Sequence, residues 1–164
     1  MTSTVVDGRR LRLRLLQPGD ADLISSFFWR LSKETVYRRF FSPITLPNEP
    51  LLKRLVDVDH CDREALIALD DQGIVGVARY GTGPGESHDI AVVVADDWQG
   101  RGLGALLIKR LGHIARLRGI SSFHATMLGD NVRAQSLVRG LSPHVTMRFE
   151  SGYVEADIPL RPTA

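Results

Sequence analysis

Polar and apolar positions alternate along residues 9–16, where Arg10, Arg12 and Arg14 interleave with Leu11, Leu13 and Leu15. A period of two predicts a strand with one wet face. Pro18-Gly19-Asp20 then reads as a turn, with Asp20 placed to cap a helix running to about Arg30. Leu23, Ile24, Phe27, Phe28 and Leu31 fall on one face of that helix. Ser32-Lys33-Glu34-Thr35 opens a second short helix to about Phe40, and Leu51, Leu52, Leu55 and Val56 suggest a third. Residues 65–69 and 74–80 read as two strands joined by Asp70-Asp71-Gln72-Gly73. A further strand spans 87–94, and a long helix after Gly104 carries Leu106, Leu107, Leu111, Ile114 and Leu117 toward a core, with Gly119 closing it. Residues 120–127 read as a strand, 130–139 as a helix, and 144–149 with 153–158 as a terminal hairpin across Ser151-Gly152.

This order predicts an α/β protein in the mixed α+β sense. Its sheet has about seven strands, mostly antiparallel, with helices on both faces. The long helix can link the strands at 87–94 and 120–127 as parallel neighbours. At 164 residues, 1–164 is expected to be a single domain with its core over about 9–160. A formal charge of +2 argues against a dedicated nucleic-acid partner. No apolar run approaches the ~20 residues that span a bilayer, so no membrane partner is expected. One cysteine, Cys61, and no apolar signal core in residues 1–10 lead to the expectation of a cytoplasmic protein. His60-Cys61-Asp62 superficially resembles metal ligands, but adjacent residues rarely chelate one ion and no standard spacing follows, so no metal site is expected.

The candidate chemistry lies in Val92-Val93-Val94-Ala95-Asp96-Asp97-Trp98-Gln99-Gly100-Arg101-Gly102-Leu103-Gly104. An apolar strand enters a turn of three alternate glycines, and a helix follows at once. Glycines let the backbone come close, and a helix N-terminus offers free N–H groups and partial positive charge. That combination builds a cradle for a phosphate-bearing cofactor. The dinucleotide pattern G-x-G-x-x-G/A is met formally, yet the acid expected about 20 residues on is missing, since the next acid is Asp130. A P-loop is excluded because no Gly-Lys-Ser/Thr follows.

Gln99-Gly100-Arg101-Gly102-Leu103-Gly104 resembles the Q/R-x-x-G-x-G/A signature of GNAT-family N-acetyltransferases. Residues 30–43, beginning Arg30-Leu31-Ser32-Lys33 and ending Phe41-Ser42-Pro43, are similar to bacterial members that acetylate protein lysines. So is Val58-Asp59-His60-Cys61-Asp62-Arg63. The resemblance implies acetyl-coenzyme A (acetyl-CoA) as cofactor. Its pyrophosphate would lie on Gln99, Gly100, Arg101, Gly102, Leu103 and Gly104, and its pantetheine arm along Val92, Val93 and Val94, with Asn131 beside it. It implies transfer of an acetyl group to a primary amine, a protein lysine first and a small amine second. A non-catalytic acyl-CoA sensor on the same fold is the alternative from another class. Oligomeric state stays open.

A lysine-like amine of pKa ~10.4 needs a base near neutral pH. Asp89 stands where the resembling enzymes usually have Glu. Alternation puts it on one face with Ala91 and Val93, against Ile90, Val92 and Val94 on the other. Glu86 is the second candidate and His88 the third. Asp89 pairing only with an arginine is the bland alternative. An oxyanion donor on 92–94 requires a backbone N–H freed from strand pairing, as by a bulge. The family's tyrosine acid corresponds here to Val138, which leaves that role unassigned. Tyr37, Phe40 and Phe41 are read as acceptor-pocket lining or core, Trp98 as a packing anchor, and His113 and His124 as structural or exposed.

Overall fold

The computed structural model describes residues 1–160 apart from Thr45, Pro84 and Glu86. The chain begins with a hairpin of β1 (Thr2–Val6) and β2 (Arg9–Leu15). Helices α1 (Ala21–Phe28), α2 (Lys33–Phe40) and α3 (Glu49–Leu55) follow. Next come β3 (Glu64–Asp70), β4 (Gly73–Thr82) and β5 (His88–Val94). The helix α4 (Leu103–Leu117), β6 (Ser122–Leu128), α5 (Val132–Arg139), β7 (Thr146–Glu150) and β8 (Tyr153–Pro159) complete it.

The strands form one sheet in the order β1-β2-β3-β4-β5-β6-β8-β7. Every neighbour pair is antiparallel except β5 and β6. The sheet therefore has eight strands, one more than the hydrophobic pattern suggested. The extra strand is β1, paired from Thr2↔Leu13 to Val6↔Arg9. Its turn is Asp7-Gly8, both with positive φ (50° and 75°). That backbone matches the twist of a two-residue hairpin, which is why an Asp-Gly pair favours one.

Neighbouring residues of β4 show how the layers stack. Gly76 lies under α4, where a Cβ would stand 2.9 Å from Leu107 Cδ1 and 3.2 Å from Leu103 Cδ2. Val77 faces the opposite layer and shares a recess with Ile24, Phe27, Phe28 and Leu55 of α1 and α3. Sheet residues such as Leu11, Ile67 and Val75 and helix residues such as Leu103, Leu107 and Leu111 are essentially fully buried.

One local expectation changes, and one buried charge was not foreseen. The Asp20 side chain does not cap α1. Its carboxylate instead accepts from Arg14 at 2.7 and 3.0 Å and from the Gln17 N–H at 2.8 Å. The exposed His60 segment leads into a buried charge at the start of β3. Glu64 is fully buried, accepts from Arg118 Nη1 at 2.8 Å and lies 3.0 Å from His60 Nδ1. No group of three His, Cys, Asp or Glu residues that could hold a metal is found among the described residues. Nor is any described helix long and apolar enough to cross a membrane.

Candidate functional site

β5 organises the site. It pairs with β4 without a register break from Thr82↔His88 to Gly76↔Val94. On its other edge it meets β6 only at His88↔Phe123 and Asp89↔His124. Beyond that the two strands part, and a cleft of about 1060 Å³ opens between them, lined by residues 90–94 and 124–127. The Ala95 N–H donates to the Val75 carbonyl at 2.8 Å, which fixes the phase of the strand. Alternation then turns the N–H groups of Val92 and Val94 away from β4 and into the cleft. The bulge required on sequence grounds is absent from the β4–β5 register; parting from β6 frees these groups instead.

The open edge runs to the glycine turn. Gly100 and Gly102 have φ of 72° and 84°, with nothing within 4 Å of where a Cβ would be. Gly102 caps α4 with no side chain to offer, and its carbonyl takes the first helical bond from the Leu106 N–H at 3.1 Å. The N–H groups of Leu103, Gly104 and Ala105 thus have no helical partner. All three residues line the cleft. Gly104 is closely packed, since a Cβ there would meet Leu137 Cδ1 at 2.8 Å.

Not every residue of the turn points inward. The Gln99 amide donates to the Val94 carbonyl at 3.0 Å and to Thr35 Oγ1 at 3.1 Å, and accepts from Arg133 at 2.7 Å. It is a clasp that ties β5, α2 and α5 together around the cleft. Arg101 reaches the other way, to the Asp97 carbonyl at 3.1 Å and to Asp7 of the β1–β2 turn, and does not line the cleft. Asn131 lines it and caps α5, accepting from the Ala134 N–H at 3.2 Å. Segment 30–43 supplies α2 as a cover: Ser32, Thr35, Arg38 and Phe41 line the cleft. The Ser32 N–H donates to Asp96 Oδ1 at 2.9 Å. Of the early aromatics, Phe40 stacks on Phe28 at 5.7 Å and Tyr37 is exposed. Trp98 is buried, with the Arg9 guanidinium 4.0 Å above its ring.

Asp89 stands where β5 and β6 separate, on the cleft wall. No hydrogen bond or ion pair holds it among the described residues, which removes the arginine-bystander reading there. Its carboxylate leans over the preceding loop, where a Cβ on Gly83 would come within 3.0 Å of Oδ1. Burial pushes its pKa up, opposed by the nearby charges of His124 and His88. Water still reaches the residue, so the push is partial. Glu86, the second candidate, lies outside the described residues. His88 packs edge-on to Tyr80 at 5.7 Å, with Nε2 3.7 Å from Asp62, and is not part of the cleft lining.

His124 is the residue that sequence reasoning passed over. It is 8% exposed, lines the cleft and sits opposite Asp89 in the register. Its Nδ1 is 3.0 Å from Asp157 Oδ1 and its Nε2 3.6 Å from Glu155. The hydrogen bond from His124 is the main cause holding the Asp157 carboxyl below its ordinary value. Nothing in the local sequence announces this, because Asp157 is brought alongside by β8, 33 residues away. Val138 is buried and lines the cleft; no tyrosine does among the described residues.

A polar strand edge leading to a helix N-terminus can hold a long chain ending in phosphates. Comparison with known proteins gives the family. The model of the Acetyltransferase (GNAT) family matches residues 28–141. The chain is 32% identical over 161 residues to the acetyltransferase Pat of Mycolicibacterium smegmatis, covering 93% of this chain and 47% of that protein. An acetyltransferase of Pseudomonas aeruginosa is 35% identical over 124 residues, covering 73% of this chain and 67% of its own length. The crystal structure of the GNAT domain of S. lividans PAT superposes with a TM-score of 0.88 at 28% identity, covering 96% of each chain. The chain therefore belongs to the GNAT family of acetyltransferases. It spans about half the length of the M. smegmatis relative.

Proposed function

We propose that this chain transfers an acetyl group from acetyl-CoA to a primary amine, a protein lysine first. The observation that carries the reading is the free edge of β5, which leads straight to the unpaired N–H groups opening α4. Acetyl-CoA would supply a thioester that an amine attacks directly, giving an amide and the free thiol. The chain's own residues divide that work. Leu103, Gly104 and Ala105 present N–H groups to pyrophosphate at the positive end of a 15-residue helix. Val92 and Val94 offer N–H groups to the carbonyls of the pantetheine arm and to the oxyanion. Asp89 accepts the amine proton, directly or through one water, because an aspartate is one methylene shorter than the glutamate of its relatives' motif. With Val138 in place of a tyrosine, the leaving thiolate takes its proton from water, which a thiol of pKa ~8.5 tolerates.

The lysine acceptor rests on the resemblance of segments 30–43 and 58–63, the first of which forms the cover of the cleft. Calorimetric titration with acetyl-CoA tests the cofactor, and absence of binding at millimolar ligand would sink the reading. Mass spectrometry of a lysate incubated with the protein and labelled acetyl-CoA separates protein lysines from small amines. A non-catalytic acyl-CoA sensor is favoured by Val138 alone; cofactor binding without transfer to any amine would establish it.

A further inference from the structure

Two arginines of the cleft, Arg39 and Arg79, form no ion pair among the described residues, and the Asp57 carboxylate acts on Arg79 only through its more distant charge. Arg39, at the end of α2, and Arg79, on β4 directly opposite Ala91, line both the cleft and the adjoining recess beneath α1. They sit on the sheet face that also carries Ala91 and Val93, the face of Asp89. Arg79 is locked in place by neutral acceptors: its Nη1 donates to the Leu55 carbonyl at 2.7 Å and its Nη2 to the Arg54 carbonyl at 3.2 Å. Arg39 makes no hydrogen bond or ion pair among the described residues; its guanidinium lies 4.7 Å from the Phe40 ring.

The other two arginines of the cleft each have a side-chain partner. Arg38 pairs with Glu34 and Asp130, and Arg133 donates to Gln99. Asp89 forms no ion pair with Arg39 or Arg79. Burial, reinforced by the charge of Arg79, pushes the Arg39 pKa down to about 10, so it stays cationic at neutral pH. Arg39 is half-buried, with unmet donors beside a like charge, and that repulsion costs stability that no described neighbour returns. An incoming anion returns it, and the planar fork of arginine fits carboxylate and phosphate.

We infer that Arg39 and Arg79 form an anion subsite, so that a substrate of this cleft carries a carboxylate or phosphoryl group close to its reacting atom. The inference rests on the acyl-transfer reading above. The scale follows from the strand: Asp89 and Ala91 are two residues apart on one face, about 6.6 Å. An amine at Asp89 and an anion at Arg79 are therefore a few bonds apart in one molecule. The anion belongs either to the acceptor, as in an amino acid or a lysine beside an acidic group, or to a short acyl chain ending in a carboxylate.

The test compares kcat/KM for paired substrates. One arm sets pentylamine against 5-aminopentanoate with acetyl-CoA; the other sets butyryl-CoA against succinyl-CoA with one amine. The anionic member should be preferred at least tenfold in one arm, which identifies the source. Arg39→Gln should cut that preference below threefold, and Arg39→Lys should keep part of it. No preference in either arm, or one unchanged in Arg39→Gln, overturns the subsite. A readout without turnover is the melting temperature of the free protein. Arg39→Gln should not lower it, because a like charge beside Arg79 is removed; a fall of several degrees would show a structural arginine and overturn the inference. If wild type binds no acetyl-CoA, the acyl-transfer reading falls while the melting comparison still decides the subsite.

Discussion

Gly102 and Gly119 stand at the two ends of α4 with nearly the same backbone, φ of 84° and 86°. Neither has an atom within 4 Å of where a Cβ would be. Changing either to Ala adds the same methyl and the same left-handed strain, about 1–2 kcal/mol. For a chain of this size 1 kcal/mol moves the melting temperature by roughly 2–4 °C, so both variants should melt about 2–8 °C below wild type. Only Gly102 lines the cleft, at the helix end where the N–H groups are free. A methyl there holds a phosphate off those donors, and we expect Gly102→Ala to weaken acetyl-CoA at least tenfold, about 1.4 kcal/mol. Gly119→Ala should stay within twofold. Scanning calorimetry without ligand and titration calorimetry with it measure the two terms separately. Equal losses of affinity in both variants would mean that strain alone acts, and full affinity in Gly102→Ala would mean that the phosphates sit elsewhere.

Other expectations can be checked alongside. Asp89→Asn should lower kcat by about 10²–10⁴ with little change in the Kd of acetyl-CoA. Because Asp89 must be ionised to act, activity rises with pH through its raised pKa, and the acid-side limb of the pH profile should vanish in the variant; a limb that survives assigns the base elsewhere. Arg118→Met leaves the fully buried Glu64 with only His60 and the Ala65 N–H. It should cost about 3 kcal/mol in urea unfolding, the low end for a broken buried pair; a loss below about 1 kcal/mol would contradict the pairing. Asp20 has its carboxyl held below the ordinary value, chiefly by Arg14. That stabilisation is full above the unfolded pKa of ~3.9 and is lost as pH falls through the native value. Asp20→Asn should therefore lower the melting temperature most near pH 6–7, with the gap closing toward pH 2–3; a gap that widens in acid has the wrong sign.

Elements with a strong local period were legible in the sequence. Leu11, Leu13 and Leu15 mark β2, and the spacing of Leu103, Leu107 and Leu111 marks α4. The Ser151-Gly152 turn has positive φ at both residues, as the terminal hairpin requires. β1 was missed although Asp7-Gly8 carries the same signal, because Thr2 to Thr4 are polar and give no alternation to read. The glycine turn located one end of the cleft, but side-chain direction within it was not readable. Gln99 and Arg101 share one turn, yet one clasps α2 and α5 while the other reaches Asp7, on a hairpin more than ninety residues away in the chain.

The sequence by itself determined the order of elements after β1, the glycine turn and the carboxylate on β5, because each depends on residues within a few positions of one another. Only the tertiary structure decided how that strand becomes a binding edge. β5 keeps β4 along its length and loses β6 after Asp89, and no local pattern encodes where two strands 30 or more residues apart will part. The same holds for His124 beside Asp157, and for Arg39 and Arg79 brought into one cleft. Each is a meeting of distant segments, and its chemistry exists only once the sheet and α2 have closed around the cleft.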